Sequence, residues 1–344
     1  MRVIIVGGGI LGSSLYLLLK EKGHDVLVLD SGERKFYPTL IHSTLLKGKD
    51  VELAKESLKL YRRWRVPTFG FPSYTFGLKD RSIVNQWSSE GLDVREVEFL
   101  GDSAILGVDT DRLVSVTSLR RVVPKVSVKA FVEVVGNLAK VRTDSREIAS
   151  DLVFLTTGAW NPYSTNVKLP SRSYYCWAYA VTTPSEVFDR VFVYDYELGF
   201  YSRPLFGLGM RTAIVGDGEY VVSDPFGKPS HSDRPLRNVE KRLGKVRPFF
   251  KGDGFCEGTK DLRPAIGRIA DNAYWIGGLD GYGAEIGPAL AEMALNFALK
   301  GEIDKEYSAR EVDESERLRV EQGTARALAL CYPQMPFNDF VWRR

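Results

Sequence analysis

Residues 2–30 read RVIIVGGGILGSSLYLLLKEKGHDVLVLD, and this stretch decides the fold class. Val3-Ile4-Ile5-Val6 is an unbroken β-branched run, the pattern of a strand buried on both faces. Gly7, Gly9 and Gly12 follow as G-x-G-x-x-G. The first glycine permits a tight turn, the second lets backbone approach a pyrophosphate, and the third lets helix and strand pack closely. Leu11, Leu15, Leu18 and Leu19 are spaced for a helix over 11–22 that ends at Gly23. DVLVLD, residues 25–30, predicts a second buried strand. The three elements form a β-α-β unit of the parallel, doubly wound class. The helix start offers amides and a positive dipole end to phosphates. Asp30 closes the second strand, where its carboxylate can accept from ribose hydroxyls and repels a 2′-phosphate. Ile10, Leu11 and Ser31 flank these groups and join the candidate binding residues. The loop alone leaves FAD and NAD both open.

The chain has 344 residues, enough for two domain-sized units. Its 44% hydrophobic and 26% charged residues suit a globular protein with a full core. A net charge of +3 without a lysine or arginine run sets nucleic acid aside as a partner. Cys176, Cys256 and Cys331 make no C-x-x-C pair or metal-ligand spacing, and no metal is expected. His24, His42 and His231 pair with no Ser or Cys constellation, so a hydrolase triad is not supported. No apolar run is long enough to span a bilayer. The expectation is a soluble, reduced, cytoplasmic protein.

Along the chain, residues 51–64 carry helical spacing and residues 109–123 look helical too. Residues 149–157 read as a buried strand, and residues 174–222 as turn-rich antiparallel strands. Residues 273–278 read as a strand, 288–299 as a helix with Pro288 in its first turn, and 308–330 as a charged outer helix.

Several segments resemble one family in its order. DLVFLTTGAW (151–160) is similar to a strand motif ending in A-G-A-W. Gly258-Thr259-Lys260-Asp261 with Pro264, Ile266 and Gly267 resembles a G-T-K-D-G-x-P-x-I-G segment, and WIGGLDGYGAEIGP (275–288) a closing glycine motif. Ser43 matches a pyrophosphate-side serine, and residues 53–64 a characteristic helix. The family is the FAD-dependent D-amino-acid oxidase superfamily, nearest to glycine oxidase and sarcosine oxidase. The resemblance runs from residue 1 to about 300 and implies FAD as cofactor.

It also implies an α/β fold. A Rossmann-like FAD-binding domain with a parallel sheet would take 1–70, 107–165 and 255–300. An inserted antiparallel α+β substrate domain would take 71–106 and 166–254, leaving 301–344 as a helical tail. The implied flavin contacts add Thr157, Gly158, Trp160, Cys256, Arg263, Gly278, Gly281, Tyr282, Gly283 and Ala284. The closing loop would turn helix amides toward the flavin's pyrimidine side and stabilise the charge it gains on reduction.

The chain departs from the pattern where substrate is held. Glycine oxidase arginines fall on Cys256 and Gly281, and a sarcosine oxidase lysine falls on Glu285. Cys256-Glu257-Gly258-Thr259 keeps the C-x-x-T spacing that marks a cysteinyl-flavin link in monomeric sarcosine oxidases, making Cys256 a candidate for one. YSRP (201–204) resembles a Y-x-R-P strand, so Tyr201, Arg203 and Glu285 become the candidate catalytic residues, with Arg203 as carboxylate anchor and Arg263 and Lys260 as fallbacks. Tyr174, Tyr175, Trp177 and Tyr179 are candidates for an aromatic pocket. The implied reaction is oxidation of a C–N bond in a small amine or amino acid, as oxidase or dye-linked dehydrogenase, with O2 or a redox partner as acceptor. A sarcosine oxidase lysine that activates oxygen has no counterpart, since its strand aligns with residues 213–215. A 2-hydroxy acid or polyol dehydrogenase, and a flavin-binding subunit of a larger complex, stay open.

Overall fold

The structure is a computed structural model describing residues 1–32, 40, 41, 46, 48–183, 188–205, 211–218, 220–227, 229, 230, 232–259 and 263–309. His42, Ser43, His231, Lys260, Cys331 and all but the first two residues of the expected 308–330 helix lie outside these residues.

The β-branched opening run forms Arg2–Val6, central in a six-stranded sheet. It pairs in parallel with Asp25–Asp30 on one side and Leu152–Leu155 on the other. Ala273–Gly277 continues the parallel set, Ala265–Ala270 closes one edge antiparallel, and Val126–Ser127 forms the other edge. Alternation along the first strand shows why it needs apolar residues on both faces. Val3 and Ile5 pack with Leu11, Leu15 and Leu290 of the covering helices Ile10–Glu21 and Gly283–Lys300. Ile4 and Val6 pack on Val132, Val141 and Ile148 of a small three-stranded antiparallel sheet spanning 130–148.

A second sheet has ten strands. Ser171–Thr182 pairs antiparallel with Arg247–Thr259 over its whole length, and also with Thr212–Gly216. Phe200–Pro204 and Phe192–Asp195 extend the sheet, and the latter pairs in parallel with Thr68–Phe76. Among the described residues no helix is long and apolar enough to cross a membrane.

Two local expectations are corrected. Residues 109–123 are not one helix: Asp102–Val114 is a strand of the large sheet, followed by the short helix Val116–Arg121. The strand's pairing with Thr68–Phe76 shifts register between Phe71 and Ser73, and Asp109 takes φ 52. Thr110, Asp111, Leu113 and Val114 are all buried around this irregularity, which breaks the plain alternation of a strand. Residues 107–114 and 68–70, grouped by sequence with the dinucleotide unit, thereby pair in the ten-stranded sheet.

The second correction concerns the last helix, which starts at Gly283, placing Pro288 inside it. A proline cannot donate to the carbonyl four residues back. That carbonyl, on Ala284, instead accepts from the Tyr61 hydroxyl at 2.8 Å. The next amide, Ala289 N, donates to Ser57 Oγ at 3.1 Å. Both side chains come from one face of helix Lys49–Arg63, which repairs the ladder from outside.

Candidate active site

A cavity of about 660 Å³ runs from the glycine loop to the large sheet. At one end the loop follows from backbone geometry. Gly7 has φ +103, and a Cβ there would stand 2.5 Å from the Thr156 carbonyl oxygen. A Cβ on Gly12 would overlap the Gly7 carbonyl oxygen, so helix and strand meet through bare backbone. A Cβ on Gly9 would meet no protein atom within 4 Å. Gly9 is also the N-cap and makes no side-chain capping bond. The first-turn amides, which no α-helix can pair within itself, therefore open toward the cavity beside Gly9, Ile10 and Leu11.

Asp30 and Ser31 line the same end. Asp30 accepts from Gly8 N at 2.8 Å and Gly32 N at 2.7 Å, which fixes its carboxylate beside the loop. Two cations stand near it that sequence spacing does not reveal. Arg120 Nε donates to Gly8 O at 3.2 Å, and Lys125 Nζ donates to Arg120 O at 2.7 Å. Burial, and then the Arg120 charge, pull Lys125 down to about 8.

The middle of the cavity is bounded by three chain segments, with Thr157, Gly158 and Trp160 from one, Cys256 from the second, and Gly281, Tyr282 and Gly283 from the third. One buried carboxylate, absent from the sequence-level candidates, joins them. Glu257 Oε1 accepts from Ser171 Oγ at 2.6 Å and Trp275 Nε1 at 3.2 Å. Its Oε2 accepts from Asn161 Nδ2 at 2.8 Å and Gly278 N at 3.2 Å. Asn161 in turn accepts from Thr157 N at 2.7 Å, and the Glu257 carbonyl accepts from Asp280 N at 2.9 Å. Asp280 takes φ 47, an uncommon state for a residue with a side chain, and the Tyr174 hydroxyl donates to its carboxylate.

Burial pushes Glu257 up from 4.5 to about 7, against the pull of its four donors. In the unfolded chain it ionises near 4.5, so between pH 4.5 and 7 the folded state binds the extra proton. Stability from this group is therefore full below pH 4.5 and declines as pH rises to 7, by on the order of 3 kcal/mol. Thermal melts across that window should show the decline, and Glu257→Gln should flatten it. A variant that keeps the wild-type slope assigns the slope to other groups.

At the far end stand Tyr201 and Arg203, two positions apart on Phe200–Pro204 and thus on one face of the strand. Arg203 is 5% exposed, and burial lowers its guanidinium from the usual range. Burial raises the Tyr201 phenol, so its hydroxyl stays protonated. Opposite it lies Gly216, where a Cβ would collide with the Tyr201 ring. Glu285, in the first turn of Gly283–Lys300, also lines the cavity and is 2% exposed.

Other expected residues fall elsewhere. Arg263 does not line the cavity and pairs with Glu306 at 2.9 Å. Gly12, Gly278 and Ala284 support the walls through backbone packing without lining them. Of the aromatic candidates, Tyr174 and Trp177 line the cavity, whereas Tyr175 and Tyr179 pack with the core of the large sheet. Among the described residues no group of three or more His, Cys, Asp or Glu side chains is arranged to hold a metal ion.

Comparison with known proteins agrees with this geometry. The family model described as an NAD(P)-binding Rossmann-like domain matches residues 5–36. No curated protein matches the chain. Among solved structures, glycine oxidase from Geobacillus kaustophilus superposes with a TM-score of 0.74 at 14% identity, covering 91% of this chain and 99% of its own. Iminodiacetate oxidase from Chelativorans sp. BNC1 gives 0.73 at 17% identity, covering 90% and 99%. L-proline dehydrogenase from P. horikoshii gives 0.73 at 19% identity, covering 88% and 94%. The chain thus has the fold these oxidases and dehydrogenases share, and its start is similar to an NAD(P)-binding Rossmann-like domain.

Proposed function

We propose that the chain is an FAD-dependent oxidoreductase that oxidises the C–N bond of a small amino acid. The observation that carries this reading is the single cavity joining the helix start after Gly9 to the buried cation Arg203. The residues present fit FAD: Gly9 leaves room for the pyrophosphate, and Asp30 stands where a ribose would lie. Bound there, FAD supplies the two-electron acceptor for hydride from the substrate's α-carbon. The unit built on the six-stranded sheet holds the dinucleotide, and the ten-stranded sheet presents the substrate groups. The glycine-rich start of Gly283–Lys300 aims amides and a positive dipole end at the flavin.

Arg203 offers a planar fork of donors, which suits a carboxylate in a bidentate pair. That favours amino acids over simple amines. Tyr201 stays protonated and donates a second hydrogen bond to the same carboxylate. Substrate that arrives with a neutral amine needs no dedicated base.

The test is an anaerobic screen of purified yellow protein against amino acids, simple amines and 2-hydroxy acids. Amino acids should bleach the flavin, and dye or O2 should restore it. Arg203→Met should raise KM about 100-fold, the loss of one charge-assisted contact of ~3 kcal/mol, with flavin content unchanged. Bleaching by hydroxy acids alone, or by no compound in the panel, overturns the reading.

A further inference from the structure

Cys176 and Cys256 are brought together by sheet register. Ser171–Thr182 and Arg247–Thr259 run antiparallel with Cys176 opposite Gly254 and Tyr174 opposite Cys256. The cysteines are therefore diagonal neighbours on one face of the sheet, and that face lines the cavity. Gly254 presents no side chain across from Cys176, so the Cys256 thiol can lean into that space. The two Sγ atoms stand 3.1 Å apart, and Cys176 Sγ also lies 3.7 Å from the Gly254 carbonyl oxygen. Both residues are partly exposed and line the cavity, so a small reactant reaches the pair through it, Cys176 first.

We propose that Cys176 and Cys256 are a redox-active dithiol that closes to a disulfide in the cavity wall by exchange with a low-molecular-weight disulfide. The Cys176 thiolate attacks one sulfur of the incoming disulfide, forming a mixed disulfide and expelling one thiolate. Cys256 then loses its proton and attacks Cys176 Sγ, expelling the second thiolate. The two expelled thiolates take up the two cysteine protons. Two cysteine thiols are oxidised to one disulfide, and the small disulfide is reduced to two thiols. Contact with Cys176 and burial hold the Cys256 thiol well above its ordinary range, which fits Cys176 as the first nucleophile. Closure shortens the 3.1 Å contact to a bond of about 2 Å, which shifts one strand against the other. A small dithiol reopens such a bond. Glu257 follows Cys256 in the chain, so closure pulls on the residue that fastens the three cavity segments. The pairing rests on thiol geometry and stands whichever cofactor the cavity holds without a covalent bond to Cys256.

The experiment uses the full chain as purified, with and without its flavin. Protein is incubated with oxidised glutathione, precipitated in acid, denatured, alkylated and mapped by mass spectrometry. Of the three cysteines, Cys176 and Cys256 should escape alkylation and appear in one linked peptide lighter by two hydrogens, while Cys331 is alkylated. Dithiothreitol should restore all three. Cys256→Ser should leave glutathione on Cys176. Three alkylated cysteines after oxidation overturn the proposal, as does glutathione retained on wild-type Cys176 without closure. Flavin carried down on the Cys256 peptide also overturns it, by assigning that sulfur to the cofactor. The wild-type map decides the question even if the serine variant does not fold.

Discussion

Replacing Gly9 by alanine should leave the melting temperature in place and lower dinucleotide affinity by about 10- to 100-fold, ~1.4 to 2.7 kcal/mol. The backbone there has φ −73, which alanine adopts readily, and the added methyl meets no protein atom within 4 Å. Alanine is a poorer N-cap than glycine by roughly 0.5–1.5 kcal/mol, but it lowers the entropy of the unfolded chain by about 0.4–1 kcal/mol, so the two effects nearly cancel. The methyl instead occupies the space kept for the pyrophosphate. Gly12→Ala is the contrasting variant, because its methyl strikes the Gly7 carbonyl within the protein itself. It should lower both affinity and stability, the latter by about 1–3 kcal/mol or more. Flavin titration and thermal melts on the two variants separate ligand space from packing. A Gly9→Ala protein that binds FAD like wild type removes the phosphates from that loop.

Glu257→Ala should cost about 3 kcal/mol of stability at pH 7, a large part of what a typical domain has. Removal of the carboxylate strands the Trp275 and Gly278 donors in a buried site. The other two adapt more easily: Asn161 Nδ2 also donates to the Ile276 carbonyl, and the Ser171 hydroxyl can rotate. The effect should extend to the cavity, since the lost carboxylate also holds Gly278 N at the head of the 278–283 loop. Denaturant unfolding should show a lower midpoint at unchanged slope. An unmoved midpoint makes the network dispensable.

Much of the fold is legible in order along the chain because its signals are local. A β-branched run, three glycines and a leucine stripe lie within 30 residues and specify the opening unit. Tyr201 and Arg203 are legible as a pair because alternation on a strand puts them on one face. The Glu257 network is not, because its partners Ser171 and Asn161 lie 86 and 96 residues away. An acid flanked by Cys256 and Gly258 in an otherwise small and apolar run is the one local hint. The Cys176–Cys256 contact depends on register between strands 80 residues apart, which composition does not encode. Residues 109–123 mislead for a definable reason: the register shift breaks the strand's alternation, and the partner strand Thr68–Phe76 is distant in sequence. Pro288 misleads in the opposite sense, since its usual place is a first turn and the compensating donors come from another helix.

Those borrowed donors separate two tasks that a helix usually combines. Holding the last helix together belongs to its own ladder beyond Ala289, whereas aiming its opening turn toward the cavity is delegated to Ser57 and Tyr61. Neither of them lines the cavity, so small changes in helix Lys49–Arg63 can shift the helix start that borders it from a distance. Variation among relatives at those two positions is therefore a place to look for differences in flavin reactivity that no wall residue explains.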